Sequence, residues 1–184
     1  MIFEKVSFEV CRKELERFGI IEKVKNSTYY ETNKKDYTDT ELIWEIYSSI
    51  KIPTRATTGS AGYDFYTPFS FDIKPHYHPV FIPTGIRAKI DTDKVLLITP
   101  RSSSSKGNYM MANTVGVIDS DYYNADNQGD IIISLVTKDH DETSFKTFKT
   151  GERIAQGLFL QFFTVENDIT ESNHRTGGFG STGK

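Results

Sequence analysis

The sequence has few of the residues that would indicate a disulfide-stapled, membrane-spanning or nucleic-acid-binding protein. Cysteine is nearly absent: the 184 residues contain only Cys11, which excludes an intrachain disulfide and is typical of a reducing compartment. No apolar run approaches the roughly 20 residues of a membrane span. Basic residues are not in excess, because the formal net charge is -3. Any anion-binding site must therefore be a local cluster of Arg and Lys.

The first residues also lack the pattern of a signal peptide. Glu4 and Lys5 interrupt the start MIFEKVSFEV, where a signal peptide needs an unbroken apolar region. Together with the scarcity of cysteine, this predicts a cytoplasmic protein without a membrane partner and without direct nucleic-acid binding. A chain of this length is expected to bury a sizeable hydrophobic core without disulfides or structural metal ions to stabilise it.

Residues 1–50 form a mixed zone in which helical patterns dominate. An alternating stretch at residues 2–8 precedes a charged helical piece around CRKELERFG and a polar loop over residues 26–37. Thr38 and Glu41 then make the capping-box pattern, and apolar residues follow at helical spacing. We therefore expect a second helix at about residues 39–50.

Residues 51–165 have the pattern of an all-β domain. Short runs rich in Val, Ile, Phe and Tyr recur between turn signals, which is typical of a sandwich or barrel. The runs are FSFDIK, PVFIP, GIRAKI, KVLLITP, VGVID, DIIISLVTK and RIAQGLFLQFF. Residues 166–184 are polar and glycine-rich, and they are expected to form a C-terminal arm.

The end of the sequence, RTGGFGSTGK, contains the spacing G-x-x-x-x-G-K of a phosphate-binding loop. Such a loop must open a helix, whose N-terminus helps to hold the phosphates. No residues follow here to build that helix. The tail by itself is therefore not expected to be the site of a P-loop nucleotidase.

Five short stretches contain most of the candidate site residues. Each one alone could be a turn, a loop or a tail. In order they are AGYDFY at 61–66, PRSSSSKGN at 100–108, NTVGVIDSDYYN at 113–124, GERIAQGLF at 151–159 and RTGGFGSTG at 175–183. Together and in this order they resemble the five motifs of the homotrimeric dUTP pyrophosphatases (dUTPases).

This resemblance covers roughly residues 53–184 and implies both a fold and a reaction. The implied fold is a jelly-roll-like β-sandwich, here with a helical N-terminal insertion and a C-terminal arm. The implied reaction is the hydrolysis of dUTP to dUMP and pyrophosphate with Mg²⁺, which keeps uracil out of DNA and supplies dUMP for thymidylate synthesis. The implied assembly is a homotrimer with active sites shared between chains.

The resemblance also implies roles in the third stretch. Asp119 stands in the place of the carboxylate that takes a proton from the attacking water. Asn113 and Gly116 would lie on a β-hairpin that reads uracil, where an amide offers both a donor and an acceptor. Tyr122 would pack under the deoxyribose and leave no space for a 2′-hydroxyl. By their chemistry alone, the two polar residues could be turn residues and Tyr122 a core aromatic.

The triphosphate would be held by residues of three other stretches. Arg101 could make charge-assisted, often bidentate contacts with phosphate. Ser102 and Gln156 match phosphate-contacting residues of the family, and Ser103 stands where the family has glycine. Asp64 matches the aspartate associated with the metal-bound triphosphate, and it is expected to act on Mg²⁺ through water.

In the fifth stretch, the resemblance implies a lid. Phe179 would close over the uracil and exclude water. Gly180 would let the backbone approach the phosphates closely, Ser181 and Thr182 would donate hydrogen bonds, and Arg175 would supply positive charge. The family usually has one more residue between this arginine and the phenylalanine.

Two segments depart from the family pattern and have no role that the sequence assigns. The segment YNADNQ follows Tyr122 as an insertion of about five residues, and the N-terminal zone adds helices before PTRATTGSAGYD. Either could contact a protein regulator, so a dUTPase-like regulatory module is one alternative function. The other is a dCTP deaminase of the same fold, which would need a glutamate beside the pyrimidine. The role of Lys106 also stays open.

Overall fold

The computed structural model describes residues 1–32, 37–75, 78–138 and 145–169. No helix in these ranges is long and apolar enough to cross a membrane. In chain order, the elements are β1 (Ile2–Lys5), α1 (Phe8–Arg17), α2 (Ile20–Lys25), α3 (Thr28–Thr32), α4 (Asp39–Ser49), β2 (Thr54–Arg55), β3 (Tyr63–Tyr66), β4 (Phe71–Ile73), β5 (Val80–Pro83), β6 (Ile86–Lys89), β7 (Lys94–Thr99), β8 (Tyr109–Met111), β9 (Gly116–Ile118), β10 (Ile132–Thr137), β11 (Lys146–Phe148) and β12 (Arg153–Gln161).

The strands form small antiparallel sheets between which the chain crosses repeatedly. The largest sheet has the order β2-β3-β12-β7-β9, and a second sheet has the order β5-β10-β8. Two further pairs are β11-β4 and β1-β6. Strands that are distant in sequence are therefore neighbours in space, as in a jelly roll. The predicted all-β, jelly-roll-like fold is confirmed.

The core between the sheets is built from alternating strand residues and stacked aromatic rings. In β7, Leu96 and Ile98 are buried while their neighbours are partly exposed, which is the period of a half-buried strand. The rings of Phe71 and Phe148 stack with centroids 5.0 Å apart, and Tyr109 packs edge-on against Phe148 at 4.9 Å. Each fully buried side chain of this size contributes about 1.5–3 kcal/mol.

The N-terminal zone contains more helix than its pattern predicts. The two predicted helices are present as α1 and α4, but α2 and α3 are additional, and α3 lies within the predicted polar loop. Gly19, with a φ of 60°, ends one helix and begins the next. Because α2 has six residues and α3 has five, neither is long enough to show a helical period.

The helices of this zone share the hydrophobic core of the β domain. Their buried side chains include Leu15, Ile20 and Ile46, and these belong to the same cluster as Phe65 and Ile82 of the strands. The N-terminal zone is therefore packed on the sandwich through a continuous apolar contact. The division of the chain at residues 50 and 165 stays a prediction.

The capping box at the start of α4 is confirmed and gives a stability prediction. The backbone N–H of Glu41 donates to Thr38 Oγ1 at 3.3 Å, and the backbone N–H of Thr38 donates to Glu41 Oε2 at 2.9 Å. Thr38→Ala is expected to lower the free energy of unfolding by about 1 kcal/mol, because the cap is lost. Urea denaturation measures this. Thr40→Ala is the control, since Thr40 lies exposed in the first turn of the same helix; equal losses in both variants would contradict the role of the cap.

Candidate active site

Three of the five stretches meet on one face of the largest sheet. Asp64 on β3 lies directly opposite Gln156 on β12, which in turn lies opposite Thr99 on β7. Residues opposite each other in an antiparallel pair project from the same face. Arg101 follows two residues after Thr99, and its backbone is still extended, so its side chain projects from the same face.

Asp64 is the centre of a cluster of charges, called here the arginine cluster, with Arg101, Arg153 and Gln156. Asp64 is only 8% exposed, and both of its carboxylate oxygens have partners. Arg101 Nε donates to Oδ1 at 3.0 Å, and Arg153 Nη1 donates to Oδ2 at 3.2 Å. Two guanidinium groups against one carboxylate leave a net positive charge, which suits an anionic ligand.

The arginine cluster borders a groove of about 300 Å³. Gln156 Nε2 donates to the carbonyl of Pro100 at 3.1 Å, which fixes the amide against the segment that follows β7. Gly62 approaches this amide so closely that a Cβ atom there would lie 2.8 Å from Gln156 Oε1. The glycine of the AGYDFY stretch therefore leaves room for the glutamine. Ala56, Ser60, Ala61 and Ser102 complete the lining.

Arg153 is a member of the cluster that is not predicted from the sequence pattern. In a regular strand, residues three apart face opposite sides, which would separate Arg153 from Gln156. A bulge between Arg153 and Ala155 shifts the register of β12 against β3. The bulge turns the arginine toward Asp64. Nothing in the sequence pattern RIAQ signals this extra residue.

The serine run after Arg101 forms a short 3-10 helix, Ser102–Ser105. Arg101 Nη1 donates to Ser103 Oγ at 3.2 Å, so this serine orients the guanidinium, while Ser102 lies exposed at the groove. Lys138 Nζ donates to the carbonyls of Ser104 and Gly107 at 2.8 and 3.0 Å and holds the loop. Lys106 is exposed.

The turn that contains Asn113 connects two sheets. The sequence predicts a β-hairpin here, but β8 pairs with β10 while β9 pairs with β7. The chain reverses through Thr114, whose φ is 57°, and then crosses to the other sheet, so the predicted hairpin is wrong. Asn113 and Gly116 are nevertheless neighbours, because a Cβ atom on Gly116 would lie 3.6 Å from Asn113 Nδ2.

Asp119 is exposed immediately after β9 and begins a 3-10 helix, Ser120–Asn124. Its carbonyl accepts a hydrogen bond from the backbone N–H of Tyr122 at 3.3 Å. The side chain of Tyr122 is only 5% exposed, and its hydroxyl donates to the carbonyl of Asp130 at 2.8 Å. In the single chain Tyr122 thus anchors the segment from within the core. Its contact with a deoxyribose stays a prediction.

The carboxyl group of Asp130 is fully buried behind this segment. Its Oδ1 accepts from the backbone N–H of Gly85 at 2.9 Å. Burial raises the pKa of Asp130 well above its usual range, and the nearby Glu14 carboxylate raises it further. The hydrogen bond to Gly85 ties the chain after the insertion to the turn before β6.

Asp119 and the arginine cluster of one chain are far apart. Ile118 lies opposite Leu96 in the antiparallel β7–β9 pair, so Asp119 follows opposite Val95, six residues before Arg101. Six residues of extended strand span about 20 Å. A single phosphate group therefore cannot touch both Asp119 and Arg101 of the same chain.

The remaining predicted site residues belong to the tail. Arg175, Phe179, Gly180, Ser181 and Thr182 lie outside the described residues. Within the described ranges, no group of three or more His, Cys, Asp or Glu side chains could hold a metal ion.

The chain is similar in sequence to known proteins. A family model described as dUTPase matches residues 48–183. The deoxyuridine 5'-triphosphate nucleotidohydrolase of Lactococcus lactis subsp. lactis is 39% identical over 139 residues, covering 74% of this chain and 90% of that protein. The protein of the same name from Dictyoglomus turgidum is 34% identical over 152 residues, covering 77% of this chain and 97% of that protein.

Solved structures show the same architecture. A dUTPase from Streptococcus mutans superimposes with a TM-score of 0.58 at 30% identity, covering 72% of this chain and 95% of that one. A dUTPase from phage phi11 of S. aureus, whose structure concerns a structural Mg(II) ion, has a TM-score of 0.56 at 20% identity, covering 67% and 92%. The second likeness supports the fold alone.

Proposed function

Since the chain belongs to the dUTPase family, we propose that it hydrolyses dUTP to dUMP and pyrophosphate in a site divided between the arginine cluster and the Asp119 segment, residues 113–122. This proposal is supported mainly by one observation: residues from three distant stretches meet in one groove and form a cluster with a net positive charge. A triphosphate is a multiply charged anion that fits such a groove.

In this proposal the arginine cluster holds and orients the phosphates. The Nε and Nη1 donors of Arg101 are engaged by Asp64 and Ser103, and these contacts fix the plane of the guanidinium group. A guanidinium group held in this way can present its outer N–H donors to phosphate without losing side-chain freedom on binding. Ser102 at the rim and the amide of Gln156 add hydrogen bonds to the phosphate oxygens.

Asp119 acts as the general base. Its carboxylate takes a proton from water as the water oxygen bonds to the α-phosphorus, and the bond from that phosphorus to the bridging oxygen breaks, so that pyrophosphate leaves. Asp119 is exposed in the single chain, which leaves it accessible to a substrate whose phosphates lie on another subunit.

Recognition of the base is assigned to the turn before β9. Asn113 and Gly116 lie side by side, so the amide and the nearby backbone groups can face one edge of a pyrimidine. Uracil matches a donor–acceptor pair that cytosine would leave unsatisfied, and buried unpaired polar groups are strongly rejected. The residues of the tail are assigned the role of a lid that closes over the uracil.

We propose that the assembly is a homotrimer in which neighbouring chains complete each site. The separation of about 20 Å between Arg101 and Asp119 supports a site shared between chains, because neither half is sufficient. The end of β12 and the residues after it also carry exposed apolar side chains, including Phe163 at 90% and Ile169 at 94%. Five large apolar side chains are exposed within residues 160–169, and such a concentration favours a contact with another chain.

Mg²⁺ is proposed as the metal that accompanies the triphosphate. It keeps several waters and is usually held by substrate phosphates with few carboxylates. The described residues fit this use, since Asp64 is committed to two arginines yet retains lone pairs that can accept from metal-bound water. The ion would neutralise phosphate charge. A cytoplasmic location is proposed from the scarcity of cysteine.

The test is a substrate panel with the purified protein. Pyrophosphate release is measured with dUTP, dTTP, dCTP and UTP in the presence of Mg²⁺, and ammonia release is measured with dCTP. We expect turnover of dUTP alone. Equal turnover of all four nucleotides would contradict the assigned base recognition, and ammonia release from dCTP would favour a deaminase. Sedimentation with and without a non-hydrolysable dUTP analogue tests the trimer.

A further inference from the structure

The insertion after Tyr122 is bonded to the N-terminal strand. The hydroxyl of Tyr123 donates to Glu4 Oε2 at 2.6 Å, and Arg87 Nη2 pairs with the same oxygen at 3.0 Å. The β1–β6 register places Glu4 directly opposite Arg87. The guanidinium of Arg87 also lies 4.3 Å from the ring centre of Tyr123. These three side chains, the Tyr123 triad, thus contact one another pairwise.

A second contact holds the other end of the insertion. The backbone N–H of Ser7, the N-cap of α1, donates to Gln128 Oε1 at 2.8 Å. Gln128 and Gly129 both have left-handed backbones, with φ of 55° and 72°, so the chain turns sharply here back into β10. The N-terminal zone therefore touches the insertion at its beginning and at its end.

The Tyr123 triad is linked to Asp119 through one short helix. Asp119 is the N-cap of the 3-10 helix Ser120–Asn124. From this helix Tyr122 reaches into the core, where its hydroxyl binds the carbonyl of Asp130, and Tyr123 reaches outward to Glu4. Two consecutive tyrosines therefore fix the helix from two sides. A shift of the helix would move Asp119 with it.

We propose that Tyr123, together with Glu4 and Arg87, is a positioning group for Asp119, so that the N-terminal zone sets the placement of the general base. This inference rests on the proposed function. Misplacing a reacting group by about 1 Å can cost as much as 10²-fold in rate. The triad therefore provides a contact whose loss changes the chemical step more than substrate binding.

The charge state of the triad supports its persistence at neutral pH. The hydrogen bond from Tyr123 and the charge of Arg87 hold the pKa of Glu4 below its usual range, despite some desolvation. The carboxylate is thus ionised at neutral pH and can accept the hydrogen bond from the Tyr123 hydroxyl. The same hydrogen bond raises the pKa of Tyr123, so the hydroxyl stays a donor.

The experiment compares Tyr123→Phe with Tyr47→Phe in the full-length protein. Both variants remove one hydroxyl from the N-terminal contacts, since Tyr47 donates to the carbonyl of Val6 at 3.1 Å, but only Tyr123 belongs to the triad. In Tyr123→Phe we expect kcat for dUTP to fall about tenfold, with KM, sedimentation and melting temperature matching the control. Glu4→Gln is also expected to lower kcat for dUTP.

The double variant Glu4→Gln/Tyr123→Phe separates a coupled unit from two independent effects. A shared contact predicts that its kcat is no lower than that of the more impaired single variant. The inference is overturned if Tyr123→Phe has the kcat of Tyr47→Phe, if kcat falls only together with the melting temperature, or if the two single losses multiply. The wild type is assayed first: an inactive wild type contradicts the proposed function and the inference with it.

Discussion

Replacing Asp119 by asparagine is expected to lower kcat for dUTP hydrolysis by about 10²–10⁴-fold, because an amide cannot take the proton of the attacking water. Affinity for dUTP is expected to change far less, since other residues hold the uracil ring and the phosphates. Steady-state pyrophosphate release gives kcat, and titration with a non-hydrolysable dUTP analogue gives the affinity. Melting temperature should not change, since the side chain is exposed.

Asp121→Asn is the matched control for this substitution. Asp121 is a second exposed carboxylate in the same 3-10 helix, two residues from Asp119. The same chemical change there removes one negative charge from the segment without touching the proposed base. Robust turnover in Asp119→Asn, or an equal loss in both variants, would rule out Asp119 as the general base.

Gly129→Ala is expected to destabilise the protein strongly. The residue has a φ of +72°, and an added Cβ atom would lie 2.6 Å from the carbonyl oxygen of Tyr122 and 2.9 Å from Tyr123 Cα. Both contacts are with backbone, so the Asp119 segment itself must move. We expect a loss of about 2–5 kcal/mol in the free energy of unfolding, because the strain of the left-handed backbone and the overpacking add.

Gly19→Ala isolates the strain from the clash. Gly19 has a similar φ of +60°, but no atom lies within 4 Å of a Cβ built there. Its expected cost is about 1–2 kcal/mol, the strain alone. Denaturant unfolding of both variants measures the difference. If both lose the same stability, the close approach of Gly129 to the tyrosine backbone does not constrain the segment.

Much of the fold could be predicted because its signals are local. The capping box at Thr38 and the strands containing Leu96 or Ile133 are visible as short periodic patterns. The helices α2 and α3 were missed because five or six residues do not fill two helical turns. The hairpin at Asn113 was wrong because pairing partners depend on where the chain crosses between sheets, which local pattern does not encode.

Candidate site residues could be predicted where they lie in a sequence motif. They could not be predicted where strand register or long-range packing determines their position. Asp64, Arg101 and Gln156 lie in separate stretches of the sequence, and the structure brings them together at one groove, while their roles stay predictions. Arg153 joins them through a bulge that is set by the register of β3 against β12. The contact of Tyr123 with Glu4 spans 119 positions in the chain and has no local signal.

The distance between Asp119 and Arg101 has a consequence for mixed populations of chains. If each site takes its arginine cluster from one chain and its base from another, an Arg101→Ala chain and an Asp119→Asn chain are each inactive alone. In the proposed homotrimer, a mixed assembly of the two chains contains a site in which both halves are intact. Co-refolded mixtures should then regain turnover by interallelic complementation, while either chain refolded alone should not.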